Sequence, residues 1–429
     1  MTQETPKPTD LSGKLSRLVG KYKETHTASK DAHEKARQVL PAGNTRSVLY
    51  SDPFPLVVRS AEGSKITTID GITLEDFVSD FSAGIYGHSH PTITAAVQEA
   101  LATGLSLGSI TEKEAQLGEI LTTRFPSLEK VRFCNSGTEA NTFAIATAIT
   151  YTKRDKILVF ANGYHGGTLS FPPSGNPMNL PHQFVIGTFD NIEETRPLIT
   201  ADLAAILVEP MQGAGGMRPA SRDFLQFLRK SADEVGAVLI FDEVVTSRLH
   251  YHGIQGALDV QPDMTTLGKY LGGGFPFGAF GGASKIMNLF DPAATPGALL
   301  HSGTFNNNIF TMFVAVAAAD LVTKESINDL NRLGDRVRNE ANHLMQTVGF
   351  HSIRFIGYGS AVGIWFKGDD ADVLRNSFYF NMLDRGINIG RRGFLFMNLA
   401  HDDASVDRVI EAVSGFVAEI VGGRDSAEH

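Results

Sequence analysis

"VLIFDEVV", residues 238–245, is an apolar run that ends abruptly in two carboxylates. A strand buried on both faces reads this way, and α/β proteins gather their ligands where such strands end. Asp242 and Glu243 therefore stand at a C-terminal strand edge, where a positive group would meet them. Three such groups are a magnesium-bound nucleotide, a metal held by histidines, and a cationic organic cofactor. The rest of the chain has to choose.

Other short apolar runs surround this one: "KILVF" (156–160) and "AAILV" (204–208). Between 208 and 238, Phe224, Leu225, Leu228, Ala232 and Val235 recur at helical spacing, which predicts a βαβ unit. From about residue 80 onward, alternating strands and amphipathic helices predict a mostly parallel sheet. "IFTMFVAVAAA" (309–319) reads as a core helix, since it is too short to span a bilayer. Beyond about 325 the character changes to a long charged helix (327–347), then "FIGYGSAVGIWF" and a last helix near 405–421. That is an α+β pattern. Residues 1–12 are polar and read as a loose arm, and "LPAGNTRSVL" (40–49) as an ordered loop.

Composition narrows the function classes. With 42% hydrophobic and 20% charged residues the 429-residue chain is an ordinary globular protein, large enough for two domains. Its formal charge of −9 and the lack of a Lys/Arg block argue against nucleic acid as a partner. One cysteine, Cys134, cannot form an internal disulfide and fits a reducing compartment. The first ten residues have no apolar core, so no secretory signal and no membrane partner are expected, and the cytoplasm is the expected location.

The nucleotide reading needs G-x-x-x-x-G-K-[ST] to cradle phosphates, and the chain has no match. "TTLGKY" (265–270) lacks both the upstream glycine and the hydroxyl residue after Lys269. The metal reading rests on "HSH" (88–90) and "HYH" (250–252), but a pair of histidines needs further ligands, and 13 histidines make such pairs common. No metal is expected.

The third reading collects more residues. "FCNSGTEANTFAIATAITYT" (133–152) is a strand, a Ser-Gly-Thr turn and a helix with Ala140, Phe143, Ala144, Ala148 and Tyr151 on its apolar face. Ser136, Gly137 and Thr138 fall at the helix N-terminus, where free amides attract a phosphate, although plain N-capping explains the turn as well. "NGYHGGT" (162–168) follows a strand, and its glycines let an aromatic ring approach a flat ligand. In "TTLGKYLGGGFPFGAFGG" (265–282), Lys269 lies in an apolar, Gly-rich setting that favours a nucleophilic amine over a surface cation. A phosphate, a flat ring, a charged ring nitrogen and an aldehyde for a lysine specify pyridoxal 5′-phosphate (PLP). Asp242 then pairs with the ring nitrogen.

These motifs, with "VEPMQG" (208–213) and "HSGTFNNN" (301–308), resemble in content and order the class III PLP-dependent aminotransferases. The resemblance runs over roughly residues 35–420. It implies a type I, aspartate aminotransferase-like α/β fold with a large, mostly parallel-sheet domain and a smaller α+β domain. Residues 1–80 would be an arm and a segment of the small domain, 81–325 the PLP-binding domain and 326–429 the rest of the small domain. It further implies a homodimer with shared active sites. Lys269 matches the lysine that captures the cofactor's aldehyde, and Asp242 the partner of its ring nitrogen; these two are the catalytic residues. Ser136, Gly137 and Thr138 match the phosphate cup, Tyr164 and Val244 the two faces of the ring, and Glu209 and Gln212 positions beside the cofactor. Thr304 matches a phosphate ligand donated by the neighbouring subunit.

Within the class, glutamate-1-semialdehyde aminomutases share the Gly-rich segment after the lysine. Ser247-Arg248 and "FNNN" depart from that branch, which has Gly-Phe and Gly-Asn-Pro there. "PAGNTRSVLYSDPFPL" (41–56), "AGIYGHS" (83–89), "HSGTFNNN" and "RRGFLFMNL" (391–399) are closer to β-amino-acid aminotransferases of the β-phenylalanine type. That likeness implies an amino donor, a keto acid acceptor such as 2-oxoglutarate or pyruvate, and two carboxylate-recognising arginines, Arg46 and Arg392. Arginine suits that role because its planar fork binds a carboxylate through two hydrogen bonds. Arg391 leaves a one-residue ambiguity. Phe81, Tyr86 and Phe394 are candidates for aromatic walls, which core packing explains equally well. An amine (omega) transaminase acting on arylalkyl amines and the aminomutase are the alternatives.

Overall fold

The computed structural model describes residues 11–421. Residues 1–10 of the expected loose arm lie outside the described residues, while Leu11 and Ser12 already belong to a helix, Leu11–Thr25. The chain divides into two compact units. One comprises residues 82–86 and 91–331; the other comprises residues up to 81, 87–90 and from 332 onward.

The first unit is built on a seven-stranded sheet. Its strands lie in the order Lys130–Cys134, Gly278–Gly282, Met264–Gly268, Val238–Asp242, Leu203–Val208, Lys156–Phe160, Gln183–Gly187. Gly278–Gly282 runs antiparallel to both neighbours, and the other pairings are parallel. The apolar runs are continuous because both faces are covered. Ile157, Val159, Ala205, Leu207, Val238 and Ile240 share one core with Ala140, Ala144 and Ala148 of helix Gly137–Thr152. Leu158, Phe160, Ile206, Val208, Leu239 and Phe241 share the other with Phe224, Leu225, Leu228 and Ala232 of helix Arg222–Val235. Strand alternation thus sends neighbouring residues of one run into two different cores.

Helix Gly137–Thr152 departs from its expected face at one end. Asn141 and Ile145 are buried with the three alanines, while Tyr151 is exposed. The buried stripe is turned away from Tyr151 because the small alanines, together with Asn141, are what the sheet accepts at close range. Helix Ile309–Ala319 is a core helix, capped by the Asn308 side chain and packed against helices Pro91–Thr103 and Glu112–Arg124.

The second unit holds a four-stranded sheet, in which Val58–Glu62, Lys65–Thr68 and Thr73–Asp76 run antiparallel and Ile387–Asn388 joins parallel to the last. It also holds a three-stranded antiparallel sheet of Ile353–Tyr358, Ala361–Phe366 and Phe394–Phe396. Helix Leu11–Thr25 packs on helix Ala371–Asp384, and Tyr22 Oη donates to the Phe54 carbonyl at 3.0 Å. Glu75 is buried, which alone would raise its carboxyl pKa. Two hydrogen bonds from Arg408, at 2.5 and 2.7 Å, hold it below the usual range instead.

Glycine at 278 is required by close approach. A Cβ there would stand 2.1 Å from the Ser136 carbonyl oxygen, at the point where this strand pairs with Cys134. Gly278→Ala should therefore push the Ser136 turn outward and lower stability by about 1–3 kcal/mol, the cost of overpacking. Urea unfolding of the apoprotein checks this, and an unchanged midpoint would show that the strand yields without strain.

Candidate active site

Five turns of the first unit leave C-terminal ends of parallel strands, and each carries candidate residues. Lys130–Cys134 leads to Ser136, Gly137 and Thr138; Lys156–Phe160 to Tyr164; Leu203–Val208 to Glu209 and Gln212; Val238–Asp242 to Val244; and Met264–Gly268 to Lys269. A parallel sheet places all these ends along one edge.

Asp242 is the buried centre of this edge. Its Oδ2 accepts from His165 Nδ1 at 2.8 Å and from Asn141 Nδ2 at 2.9 Å, and its Oδ1 from the Val244 amide at 3.0 Å. Thr266 Oγ1 donates to Asn141 Oδ1 at 2.7 Å, which turns the Asn141 amino group toward Asp242 and the His165 carbonyl. Oδ1 has one protein donor and keeps capacity for another. His165, Asn141 and Thr266 were not singled out from sequence, although all three lie inside quoted motifs, "NGYHGGT", "FCNSGTEANTFAIATAITYT" and "TTLGKYLGGGFPFGAFGG".

Glu243 faces the other way. It is fully buried and accepts from Thr246 Oγ1, the amides of Ile254 and Gln255, and Gln255 Nε2 at 2.8–3.2 Å. Burial raises its pKa, against these hydrogen bonds. Glu243 therefore ties down the 246–255 segment.

Ser136 caps helix Gly137–Thr152, its Oγ accepting from the Glu139 amide at 3.1 Å. Capping and anion binding are compatible, because the amides of Gly137 and Thr138 remain in the first turn. The opposite wall is drawn in tightly: a Cβ on Gly166 (φ +132°) would lie 2.3 Å from Thr138 Oγ1. Val244 packs against both Gly137 and Gly268, since Cβ atoms on them would lie 3.0 and 3.3 Å from its methyl groups. Tyr164 is 48% exposed, and its amide donates to Glu209 Oε1 at 2.9 Å. Glu209 Oε2 accepts from the Gly213 amide, and Gln212 Nε2 donates to the Ala161 carbonyl. Glu209 and Gln212 thus hold the Tyr164 loop by its backbone.

Lys269 has left-handed φ (+55°) and is partly buried. Its neighbour Tyr270 is clamped. Tyr270 Oη accepts from Arg124 Nη2 at 2.8 Å and donates to the Ser247 carbonyl at 2.8 Å, and its own carbonyl accepts from Tyr86 Oη at 2.9 Å. Tyr86 is thereby a buried strut. Arg248 is also buried, donating to the Ser82 carbonyl at 3.2 Å, and desolvation lowers its pKa to about 10. Thr304 lies on an exposed turn of this unit.

In the second unit, Arg46 Nη1 donates to Asp80 Oδ1 at 2.8 Å, with the guanidinium 4.8 Å from the Phe81 ring centre. Phe81 in turn lies 5.5 Å from Phe394. Arg391 is committed to Ser51 Oγ, the Asp52 carbonyl and Asn376 Oδ1, and stacks on Tyr379 and Phe380. Arg392 is exposed. His88 bonds to Asp76 at 3.0 Å, and His252 to the Arg124 carbonyl at 2.7 Å. Among the described residues no group of three or more His, Cys, Asp or Glu side chains is placed to hold a metal, and no helix is long and apolar enough to cross a membrane.

The donor set suits PLP. Helix N-terminal amides and hydroxyls would suit a phosphate, a buried carboxylate with spare acceptor capacity would suit a ring N–H, and Lys269 would supply an amine. Comparison with known proteins agrees. The family model for class-III aminotransferases matches residues 48–179 and 171–416. The β-phenylalanine transaminase of Variovorax paradoxus is 41% identical over 417 residues, covering 94% of this chain and 95% of that one. Among solved structures, a β-phenylalanine aminotransferase from Variovorax paradoxus superposes with a TM-score of 0.92 at 39% identity, covering 97% of this chain and 98% of that one. A transaminase with PLP bound gives 0.87 at 31% identity, covering 93% and 99%.

Burial pushes the Glu209 carboxyl from its ordinary 4.5 up to about 7, with His165 opposing and Asp242 reinforcing the rise. The folded apoprotein thus keeps this group neutral where the unfolded chain ionises it. Its contribution to stability is full below about pH 4.5 and declines until about pH 7. Glu209→Gln, which cannot ionise, should gain in Tm relative to wild type as pH rises through that window. Parallel Tm curves for the two apoproteins would show that Glu209 does not titrate there.

Proposed function

Because the chain belongs to the class III aminotransferases and is a PLP-dependent transaminase, we propose that its amino donor is an aromatic β-amino acid. The acceptor is a keto acid such as 2-oxoglutarate or pyruvate. One observation carries the donor class: Arg46 lies over the Phe81 ring, which abuts Phe394, so a carboxylate receptor and an aromatic wall occur together. The Variovorax relative named for β-phenylalanine supports the same reading. Arg392, the position that the likeness to β-amino-acid aminotransferases assigns to carboxylate recognition, is the second contact in this reading, while Arg391 holds Ser51, Asp52 and Asn376.

PLP, when bound, supplies the electron sink for proton removal from the carbon that bears the amino group. The chain supplies everything else. Lys269 Nζ would hold the cofactor through its aldehyde and, as a free amine, would accept the proton from the carbon that bears the amino group. Asp242 would accept the ring N–H, with His165 and Asn141 fixing the carboxylate. Ser136, Gly137 and Thr138 would hold the phosphate, Tyr164 and Val244 would flank the ring, and Glu209 and Gln212 set the Tyr164 loop. Thr304 would reach the phosphate of a second copy in a homodimer with shared sites, a role its exposure on a turn suits. The cytoplasm suits a chain whose one cysteine is buried and unpaired.

Borohydride reduction of the yellow holoenzyme should fix the cofactor on the peptide containing Lys269, and Lys269→Ala should abolish transamination; a label on another lysine would sink the assignment. For the donor class, Arg46→Ala and Arg392→Ala should each cut kcat/KM for β-phenylalanine or the keto acid by roughly 10- to 100-fold, the loss of a charged hydrogen-bond partner. Arylalkyl amines, which have no carboxylate, should be spared. Measuring each half-reaction from the cofactor spectrum separates the two arginines. Equal losses on amines and amino acids would turn the reading toward an amine transaminase.

A further inference from the structure

We propose that Asp80 is a resident competitor for the Arg46 guanidinium and so sets the balance between carboxylate-bearing and apolar donors. This rests on Arg46 being the donor-carboxylate contact. Asp80 Oδ1 accepts from Arg46 Nη1 at 2.8 Å, a bond that any carboxylate docking on this guanidinium would compete for. Both side chains are about half exposed, 49% and 60%, so the ion pair is weakly held and exchangeable.

The backbone shows that this placement is specific. Ser79, Asp80, Phe81 and Ser82 all have left-handed φ (45°, 41°, 56° and 81°), four non-glycine residues in succession. Such residues are individually uncommon and persist only where their surroundings impose them. Here Ser79 Oγ donates to the Phe396 carbonyl at 3.2 Å and accepts from Asn398 Nδ2 at 3.0 Å, while the Phe81 amide closes on the Val78 carbonyl at 2.9 Å. The result aims two consecutive side chains at one guanidinium, the Asp80 carboxylate at its N–H and the Phe81 ring beneath it. A surface ion pair alone would not need so constrained a turn.

The charge count gives the consequence. With Asp80 in place, Arg46 presents a neutralised surface beside an aromatic ring, which tolerates an apolar group. A donor carboxylate must displace Asp80 or dock beside it against its charge. Removing the charge should tighten carboxylates and loosen apolar amines.

Asp80→Asn tests this with little backbone disturbance, because Asn tolerates left-handed φ well. Dissociation constants are read from the cofactor spectrum of the holoenzyme with β-phenylalanine and with 1-phenylethylamine. Asp80→Asn should bind β-phenylalanine about two- to fivefold more tightly, in line with an exposed ion pair, and 1-phenylethylamine more weakly. The limiting rate of each half-reaction should stay unchanged. Asp80→Gly, which relieves the turn, should give the same crossover, and in an Arg46→Ala background Asp80→Asn should have no effect on β-phenylalanine. Unchanged constants, or weakening toward both donors, overturn the proposal. If Arg46→Ala itself leaves β-phenylalanine binding intact, the donor-contact reading falls; if it weakens binding while Asp80→Asn does nothing, the competitor role alone falls.

Discussion

The interaction on which the catalytic edge depends is the burial of one carboxylate at a strand end. A desolvated carboxylate without donors costs several kcal/mol. Asp242 meets that demand with His165 from the loop after Lys156–Phe160, Asn141 from helix Gly137–Thr152, and the Val244 amide. Each donor lies on a different element. Satisfying the charge therefore draws the start of helix Gly137–Thr152, the Tyr164 loop and the end of Val238–Asp242 into one place. Thr266, paired with Asp242 across neighbouring strands, extends the same network toward Lys269 through its bond to Asn141.

The sheet was legible because its signal is local. A run such as "AVLIF" can be apolar throughout only if both faces are covered, and the two cores divide its residues alternately. Of the candidate site, the turns were legible, because glycine spacing there reflects close approach. Its supports were not. His165 and Asn141 bond to Asp242 across 77 and 101 residues of sequence, and nothing local marks a side chain as one end of a long-range hydrogen bond. Tyr151 failed for the opposite reason: its spacing fitted the apolar face, but the buried stripe follows the small residues and includes a polar one, Asn141.

Adjacent acids show how position decides role. Asp242 and Glu243 differ by one methylene and one strand step. Asp242 ends among donors that leave an oxygen available, whereas Glu243 has four donors and a glycine, Gly253 (φ +69°), pressed so close that a Cβ would stand 2.5 Å from its oxygen. One carboxylate is built to receive a further donor and the other to be saturated. Alternation placed them on opposite sides, but saturation is a property of the 246–255 segment that no residue of "FDEVV" announces.

The arginines divide on the same principle. Arg391 is bound by hydroxyl, carbonyl and amide oxygens and stacked on two rings, so freeing it would orphan several groups at once. Arg46 has a single carboxylate partner in solvent, where exchanging one anion for another changes little. A recognition arginine has to be oriented without being used up. If Arg46 is the donor contact proposed above, the face of Phe81 orients it by a contact that leaves the N–H edge accessible, and Asp80 would keep that edge charge-compensated until a carboxylate arrives. The left-handed turn that makes this possible carries no sequence mark, since serine, aspartate and phenylalanine adopt such φ values only under the constraint of their surroundings.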